Sequence, residues 1–558
     1  MELPALHGLR DLIPSWTFFP GSSPLARICD QAGRFSQFPP PLHKVADVAI
    51  DWAWLIGDAV IAGMLPERYA SYRRPIVEAL GLFLAGLPAA DVAAILRDQA
   101  DLPPTASAEE RLSVLAEHCP ALHKLGQVLA RDRRLAPELR KHLQRLESLP
   151  PRTDLRQIEQ TLEDALGPLK ALGVELDPQP LAEASVAVVI PFHWLDARGG
   201  EPRRGVFKVL KPGIESRLDR ELSLLGEVGA LLDDRCASFG IPRLDYGEVF
   251  EQVRGKLAME VNLEGEQRHL QQAADTYREE PDVQIPALYP FCASRVTAME
   301  RVDGRKVTDT QTASPAERRR LARIVVEALI AGPIWSSVPE ATFHADPHAG
   351  NLFATDDGRL AILDWSLTGT FREAERVAMA RILLAAMVLD QPVVTEALAS
   401  LALDRRVDEP ALRRVVDGWL RRVRLGQFPG FTWLMGMLDD AVVHARLRAR
   451  TDLILFRKSL LTLEGVLADL APEARIDDLI LPLFLGRLIR EWPGRLWANP
   501  LSRAFATRIS NLDLAELLLR LPWTPLRAGL ENLGEILTAV DISPRRAGDE
   551  TKLLPKNS

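Results

Sequence analysis

The chain has 558 residues, of which 47% are hydrophobic and 26% are charged, as in an ordinary globular protein with room for three or four domains. Its formal net charge of −8 argues against bulk nucleic-acid binding, which favours a basic surface. The four cysteines (Cys29, Cys119, Cys236 and Cys292) lie far apart without Cys-x-x-Cys spacing. They fit a reducing compartment and predict neither a zinc site nor a disulfide framework.

Membrane insertion is not expected from the sequence. Residues 1–20 lack a basic region followed by an apolar run, so no signal peptide is predicted. No segment reaches the length of about 20 apolar residues that spans a bilayer. The best candidate, residues 45–65, carries Asp47, Asp51 and Asp58, and is better explained as a buried amphipathic helix. We therefore expect a soluble or peripheral protein, in the cytoplasm or at the inner membrane.

The first part of the chain is predicted to be helical. Residues 1–104 form a helical region without recognisable chemistry, and Pro103 and Pro104 begin a break. Residues 105–152 form a second helical unit that contains Lys124 and Gln127. Paired prolines at residues 150–151 end this unit, since proline interrupts a helix.

The pattern then changes to strands and afterwards to helices. Two β-branched runs, Ser185–Ile190 and Gly205–Leu210, flank a turn-like segment at residues 196–200. A helical stretch follows from Glu215 to Leu232, and Arg295–Glu300 is the last predicted strand. From residue 315 to residue 473 the pattern is mostly helical. Strands first and helices afterwards predict an α+β, two-lobed architecture, with lobes at residues 153–304 and 305–475 and a nucleotide between them.

A Trp- and Arg-rich tail covers residues 476–543. Three tryptophans (Trp492, Trp497 and Trp523) are interspersed with five arginines (Arg487, Arg490, Arg495, Arg503 and Arg508). Such a mixture fits an interfacial amphipathic helix with aromatic anchors, and peripheral membrane contact is one interpretation. Helical core with a solvated basic face is the more common alternative. Residues 544–558 are predicted to be disordered from their composition.

The most informative segment is His344–Asn351 with the apolar run that follows it. Asp346 and Asn351 stand five residues apart on a predicted loop, and Asp364 ends a short apolar strand. Phosphoryl transfer needs a carboxylate that orients the nucleophile, together with an amide and a second carboxylate that hold metal ions. The spacing is that of a kinase catalytic loop and metal segment. It predicts Asp346 as catalytic and Asn351 and Asp364 as Mg²⁺ ligands, with His344 ordering the loop; a polar turn beside a buried strand is the alternative.

Lys208 is a charged residue inside an apolar predicted strand. A buried ammonium is costly unless an anion pairs with it, and the phosphates of ATP and a glutamate would serve. Three glutamates remain open as its partner, namely Glu221, Glu260 and Glu266. The alternative is a lysine at a solvent-exposed strand edge.

Two further segments are predicted to contact the nucleotide. Where a protein kinase has a glycine-rich loop, this chain has Ala182, Ala184 and Ser185. Alanine does not readily take positive φ angles, so this loop must approach the phosphates differently. Glu300 ends the last predicted strand of the small lobe, where backbone groups commonly meet an adenine ring. Glu300 is predicted from this position alone.

Taken together, these motifs resemble the UbiB/AarF (ADCK-like) family of atypical kinases over roughly residues 119–473. The matching segments are Lys124–Gln127 for the Lys-x-Gly-Gln signature, Leu181–Ser185 for the Ala-rich loop, Val206–Lys208, Glu260–Asn262 for Glu-x-Asp, His344–Asn351, Asp364–Ser366, Phe456–Lys458 and Leu463–Val466. The resemblance implies a kinase-like fold, ATP and Mg²⁺ binding, and ATPase or small-molecule kinase activity in quinone or lipid metabolism.

The resemblance also implies roles for individual residues. Lys208 would hold the phosphates, Lys124 and Gln127 would close over the nucleotide pocket, and Glu260 would pair with Lys124. A lipid or a quinone precursor is the expected acceptor class. The acceptor's identity and the oligomeric state are not predicted.

Three positions depart from the family pattern. Asn262 replaces an acidic residue and removes a charge, Ser366 replaces a glycine and reduces backbone freedom, and Ala349 replaces a proline with little expected effect. The family's C-terminal membrane-spanning segment is not evident. Two alternatives stay open: a nucleotide-gated scaffold without appreciable hydrolysis, and a phosphotransferase similar to aminoglycoside kinases, which lack the Lys-x-Gly-Gln element.

Overall fold

The computed structural model describes residues 52–57, 61, 67–124, 154–184, 186–195, 203–241, 247, 254–255, 257–309, 313–404 and 406–520. The chain forms two compact units. The first comprises Met1–Leu329, Thr342–Thr370 and Ile454–Arg475, and the second comprises Ile330–Ala341, Phe371–Leu453 and Ile476–Ser558. Because the units interleave along the chain, they do not coincide with the sequential domain boundaries proposed above, which stay predictions.

A five-stranded antiparallel sheet forms part of the first unit. The strands are β1 Val174–Leu176, β2 Ala182–Glu183, β3 Ala187–Trp194, β4 Arg203–Leu210 and β6 Val296–Glu300. Their order is β1-β3-β4-β6, and β2 pairs with β3. The three predicted strands correspond to β3, β4 and β6 and are confirmed. The sequence missed β1 and β2 because they are too short to show alternation, and the predicted turn at residues 196–200 lies outside the described residues.

One face of this sheet is apolar. Phe207 and Val209 of β4 are buried in a cluster with Ile158 and Leu162 of helix Leu155–Leu166. Burying such side chains contributes about 1.5–3 kcal/mol each. Successive side chains of a strand point to opposite faces, so Lys208 lies on the other face, where its register partners are Val189 of β3 and Thr297 of β6.

The helix nearest to Lys208 is Leu263–Thr276. It begins at Asn262, whose side-chain oxygen accepts a hydrogen bond from the Gly265 N–H at 2.9 Å. Gln267 fastens the helix to the sheet, since its Nε2 donates to Thr297 Oγ1 at 2.9 Å. The cap and this contact fix the rotation of the helix and turn Glu266 towards the sheet.

The N-terminal helices pack on a long helix of the same unit. Helices Arg73–Ala85 and Ala89–Asp101 share a buried cluster with helix Ile214–Phe239. Ion pairs reinforce this contact, among them Arg217 with Asp91 at 2.6 Å. The helical prediction for this region is confirmed for the residues that are described, and these helices pack on the long helix.

The segment from His344 to Asp364, which holds the predicted catalytic and metal-binding residues, contains two strands of a second, four-stranded sheet. The strands of this sheet are β5 Val283–Gln284, β7 Gly304–Lys306, β9 Leu352–Thr355 and β10 Leu360–Ile362, in the sheet order β5-β10-β9-β7. Strand β8 Glu340–His344 pairs with β11 Thr368–Arg372. The apolar strand predicted before Asp364 is β10, and it is confirmed.

Helices make up most of the remaining described chain, as predicted. They are Ala53–Ile56, Ala108–His118, Pro315–Val326, Gly332–Ile334, Glu373–Met387, Gln391–Ala399, Glu409–Arg424, Phe431–His444, Thr451–Leu470, Ile476–Arg495 and Asn511–Arg520. Within the described ranges no individual helix is long and apolar enough to cross a bilayer; only the pair Ala70–Ala85 and Ala89–Asp101, bent by 117°, meets the requirement jointly, by length and composition. The α+β class is confirmed.

Candidate active site

Lys208 is held by two carboxylates. Its Nζ lies 2.7 Å from both side-chain oxygens of Glu266 and 3.6 Å from Asp364 Oδ1. Burial would lower the pKa of Lys208, but the charges of Asp364 and Glu266 outweigh burial and raise this pKa above its usual range. The lysine is therefore a permanent cation, and Glu266 is its partner among the three predicted candidates.

Asp364 follows β10 in a left-handed backbone conformation with a φ of 53°. The Ser366 N–H donates to its Oδ1 at 3.3 Å. Burial would raise the pKa of Asp364, but the Lys208 ammonium and the hydrogen bonds from Ser366 hold this pKa below its usual range. An ionised carboxylate, 40% exposed, thus faces solvent beside Lys208.

The backbone at this turn does not require a glycine at position 366. Positive φ falls on Asp364, and Ser366 is not among the residues with positive φ. Aspartate tolerates this region better than most residues. The conformation at position 366 is therefore one that serine can adopt, and the Ser366 N–H positions the Asp364 carboxylate.

His344 joins the catalytic loop to the metal segment. Its fully buried ring donates from Nε2 to the carbonyl oxygens of Leu363 at 3.1 Å and Asp364 at 3.0 Å, and Nδ1 accepts from the Asp346 N–H at 3.2 Å. Burial lowers the pKa of His344, so the ring is neutral and uses both nitrogens as this pattern requires. The predicted ordering role of His344 is confirmed.

Asn351 completes the loop. Its Nδ2 donates to the Asp346 carbonyl oxygen at 3.1 Å, and the Leu363 N–H donates to the Asn351 carbonyl oxygen at 2.8 Å. Among the described residues none donates to its amide Oδ1. The structure thus brings Asp346, Asn351 and Asp364 together, with Lys208 beside the last.

Sequence reasoning missed one charged residue of the site. Lys458 Nζ, on helix Thr451–Leu470, lies 3.1 Å from Asp346 Oδ1, and Ser459 Oγ donates to the His344 carbonyl oxygen at 3.1 Å. The segment Phe456–Lys458 is among those that resemble the family, but no role for Lys458 follows from that resemblance. Lys458 could have been identified as Lys208 was, because each is a lysine within a largely apolar predicted element.

The pairing that the resemblance implies between Lys124 and Glu260 is present. The two form an ion pair and are 23% and 22% exposed, respectively. Gln127 lies outside the described residues. Asn262, two residues after Glu260, is a helix cap, and asparagine and aspartate are comparably good caps. The missing acid therefore leaves this local structure intact.

The predicted phosphate-covering segment is a hairpin. Ala182 lies in β2 opposite Val189, and the Ala184 N–H donates to the Ala187 carbonyl oxygen at 2.8 Å. Ser185 lies outside the described residues. Glu183 pairs with Lys211 at 2.7 Å, which ties the hairpin to the end of β4.

The structure shows which contacts Glu300 makes, and its position beside an adenine ring stays a prediction. Its N–H donates to the Ala287 carbonyl oxygen at 2.8 Å, so this donor is not available to an adenine ring. Its carboxylate accepts from Gln284 Nε2 and from the Ala287 N–H, each at 3.3 Å. These contacts anchor the end of β6 to the neighbouring segment.

Comparisons with known proteins agree with these motifs. Residues 145–398 match the ABC1 atypical kinase-like domain. The chain is 30% identical over 304 residues to an uncharacterized aarF domain-containing chloroplastic protein kinase of Arabidopsis thaliana, covering 53% of this chain and 54% of that protein. It is 29% identical over 395 residues to a probable protein kinase UbiB of Tolumonas auensis, covering 67% and 69%. The chain thus spans about half the length of the first relative and about two thirds of the second.

Another probable protein kinase UbiB, from Xanthomonas euvesicatoria, is 27% identical and covers 78% of this chain and 76% of its own length. Among solved structures, the complex of Rv3197 with erythromycin from Mycobacterium tuberculosis is similar with a TM-score of 0.44 and 18% identity, covering 70% of this chain and 97% of that chain. Kinase-like domains in general use ATP and Mg²⁺. The α+β, two-lobed protein-kinase-like fold is confirmed, and this chain is related to the UbiB/AarF proteins through an ABC1 atypical kinase-like domain at residues 145–398.

Proposed function

We propose that this protein binds Mg-ATP and transfers or hydrolyses its terminal phosphoryl group, as an atypical kinase or ATPase. One observation carries the proposal: Lys208 Nζ lies 3.6 Å from Asp364 Oδ1, and His344 ties the Asp364 segment to Asp346. A cation, a metal-binding carboxylate and a catalytic carboxylate thereby share one site, which is the arrangement that phosphoryl transfer requires.

The residues present fit a magnesium ion. Mg²⁺ prefers oxygen ligands, and here they would be the Asp364 carboxylate and the Asn351 amide oxygen. The depressed pKa of Asp364 keeps its carboxylate ionised, and this carboxylate remains 40% exposed. When bound, Mg²⁺ would neutralise negative charge on the phosphates.

Each protein group would have a separate task. Glu266 holds the Lys208 ammonium in place. The ammonium would therefore be preorganised to bind the phosphates. Asp346 would orient the attacking hydroxyl or water and accept its proton. The neutral His344 keeps the Asp346 backbone aligned with the Asp364 segment.

Phosphate release from Mg-ATP by the purified protein tests this activity. We expect release by the natural chain and none by Asp364→Asn. Asp356→Asn is the matched control, because it removes an exposed carboxylate from the turn that precedes β10. Tight ATP binding without release above a blank would instead support the nucleotide-gated scaffold. The Lys124–Gln127 segment disfavours the aminoglycoside-kinase-like alternative, because those enzymes lack this element.

We further propose a role in isoprenoid-quinone (ubiquinone) biosynthesis or in lipid metabolism, with a quinone precursor or a lipid as acceptor. The support is the likeness to proteins named probable protein kinase UbiB. Lipids extracted from a deletion strain should contain less quinone and more of a precursor. Unchanged quinones, precursors and lipids would contradict this role.

Peripheral contact with a membrane is also part of the proposal. Helix Ile476–Arg495 and the residue after it expose an apolar stripe at helical spacing, consisting of Leu481, Leu485, Ile489, Trp492 and Leu496. The adjacent Trp497 is 91% exposed. A large exposed apolar surface indicates an interaction site, and a lipid surface suits a helix with tryptophan anchors.

Liposome flotation of the full chain tests this contact. The double substitution Ile489→Ser and Trp492→Ser should reduce the floated fraction. Leu425→Ser, at an apolar residue that is 76% exposed on another segment, serves as control. Equal flotation of all three proteins would exclude this stripe as the lipid contact.

A further inference from the structure

We infer that Lys458 is a phosphate-binding residue, whose ammonium bridges the Asp346 carboxylate and the terminal phosphate of a bound nucleoside triphosphate. This inference rests on the proposed function and deepens it. The observation behind it is the 3.1 Å separation between Lys458 Nζ and Asp346 Oδ1.

The helix that carries Lys458 is fixed against β8 and the start of the catalytic loop at two positions, one on each side of Lys458. The Phe456 ring meets the Phe343 ring edge-to-face with centroids 5.5 Å apart, and Ser459 Oγ donates to the His344 carbonyl oxygen. Because residues on both sides of Lys458 are anchored, its side chain is directed at Asp346 by the fold. The Lys458 and Asp346 side chains remain 25% and 23% exposed, so a ligand has access to both.

The charged side chains of the site explain why a further cation would favour phosphate binding. Lys208 supplies one positive charge, while Glu266, Asp364 and Asp346 supply three negative charges when they are ionised. Lys124 and Glu260 pair with each other. The other four groups carry a net charge of −2 without Lys458 and −1 with it, so Lys458 weakens their repulsion of a triphosphate, which is only weakly screened at partly exposed sites. Lys458 offsets one negative charge where the reacting phosphate would lie.

Position assigns Lys458 to the terminal phosphate. Asp346 orients the nucleophile, so its carboxylate must lie beside the phosphorus that is attacked. During transfer the bond from the attacking oxygen to phosphorus forms, and the bond from phosphorus to the diphosphate oxygen breaks. The nucleophile's proton passes to Asp346, while Lys458 stays protonated throughout. Lys208, next to Asp364, would remain with the other phosphates.

Two roles for Lys458 predict different affinities. A lysine that only holds the loop in place would support ATP and ADP binding equally. A lysine on the terminal phosphate would favour ATP, because ADP lacks that group. The ratio of the two affinities therefore separates phosphate binding from loop support.

Calorimetric titration of the full chain with Mg-ATP and Mg-ADP provides the test. We expect Lys458→Met to weaken Mg-ATP binding about 10-fold or more, as for loss of a charged contact, and Mg-ADP binding less than about 2-fold. Lys458→Arg should retain most of the preference for ATP. Lys170→Met, which removes an exposed ammonium from the 3-10 helix Leu169–Leu172, should behave as the natural chain does.

Equal weakening of both nucleotides, or unchanged affinities, would overturn the inference while leaving the proposed function intact. Failure of the natural chain to bind either nucleotide would overturn the proposed function, and the inference with it. If Lys458→Met does not fold, Lys458→Gln carries the same test, because its side chain is polar and lacks the positive charge.

Discussion

The ion pair between Lys208 and Glu266 allows a quantitative test of the site in the absence of nucleotide. The two side chains are 15% and 4% exposed and meet at 2.7 Å. Removing one partner of a buried pair costs about 3–5 kcal/mol, because it leaves an uncompensated charge. We therefore expect Lys208→Met to destabilise the protein by this amount. At about 2–4 °C per kcal/mol for a domain of this size, the melting temperature should fall by roughly 6–20 °C.

The dependence on pH has a definite sign. Burial already raises the pKa of Glu266, and the Lys208 ammonium opposes this shift. Without the lysine the folded-state pKa rises further above the unfolded value, so stability is fully present below the unfolded pKa and is lost as pH rises through the folded pKa. Lys208→Met should therefore be more destabilising at pH 8 than at pH 5.

A double-mutant cycle separates the pair from its surroundings. Glu266→Leu combined with Lys208→Met replaces the buried pair with apolar side chains, which is often neutral or stabilising. Thermal unfolding of the natural chain, both single variants and the double variant should give a coupling energy above about 2 kcal/mol. Single-variant effects that add within about 0.5 kcal/mol would refute the reasoning.

Three further predictions concern stability and the departures from the family pattern. Burial raises the pKa of Glu221 to about 8 from 4.5, so stability should fall as pH rises between these values. Glu221→Gln keeps an acceptor for the Ala121 N–H but cannot ionise. The change in unfolding free energy caused by this substitution should therefore be about 3 kcal/mol more favourable at pH 7 than at pH 4. If the melting temperatures of the variant and the natural chain depended on pH in the same way, this prediction would be contradicted. Ser366→Gly should change Mg-ATP affinity less than about 2-fold, since Asp364 holds the positive φ; a large gain in calorimetry would show that the serine strains the site. Asn262→Asp should alter the free energy of unfolding by under about 0.5 kcal/mol, as a cap-for-cap change, and a larger effect in thermal melts would show another role.

The sequence predicted the parts of the site that lie close together along the chain. Asp346, Asn351 and Asp364 lie within one short stretch, and their spacing alone indicates a loop, an amide and a strand end. Lys208 was identifiable because a charge within an apolar strand needs a partner. The His344 hydrogen bonds follow from the same local geometry, since they join residues of this stretch.

Contacts between residues that are far apart along the chain could not be predicted from the sequence. The choice of Glu266 depends on the Asn262 cap and on the Gln267–Thr297 hydrogen bond, which set the rotation of a helix against a distant strand. Lys458 lies 112 residues from Asp346, so no spacing rule connects them. The hydrogen bond from the Glu300 N–H to the Ala287 carbonyl oxygen could not be predicted either, because the segment that accepts it shows no strand pattern.

The Mg²⁺ dependence of ATP binding tests the central claim most directly. The natural chain, titrated with ATP at constant ionic strength, should bind much more tightly with Mg²⁺ than with EDTA. Asp364→Asn should lose most of this difference, and Asp356→Asn should keep it. The claim that Asp364 and Asn351 hold the metal beside Lys208 would be contradicted if Asp364→Asn bound Mg-ATP as tightly as the natural chain does.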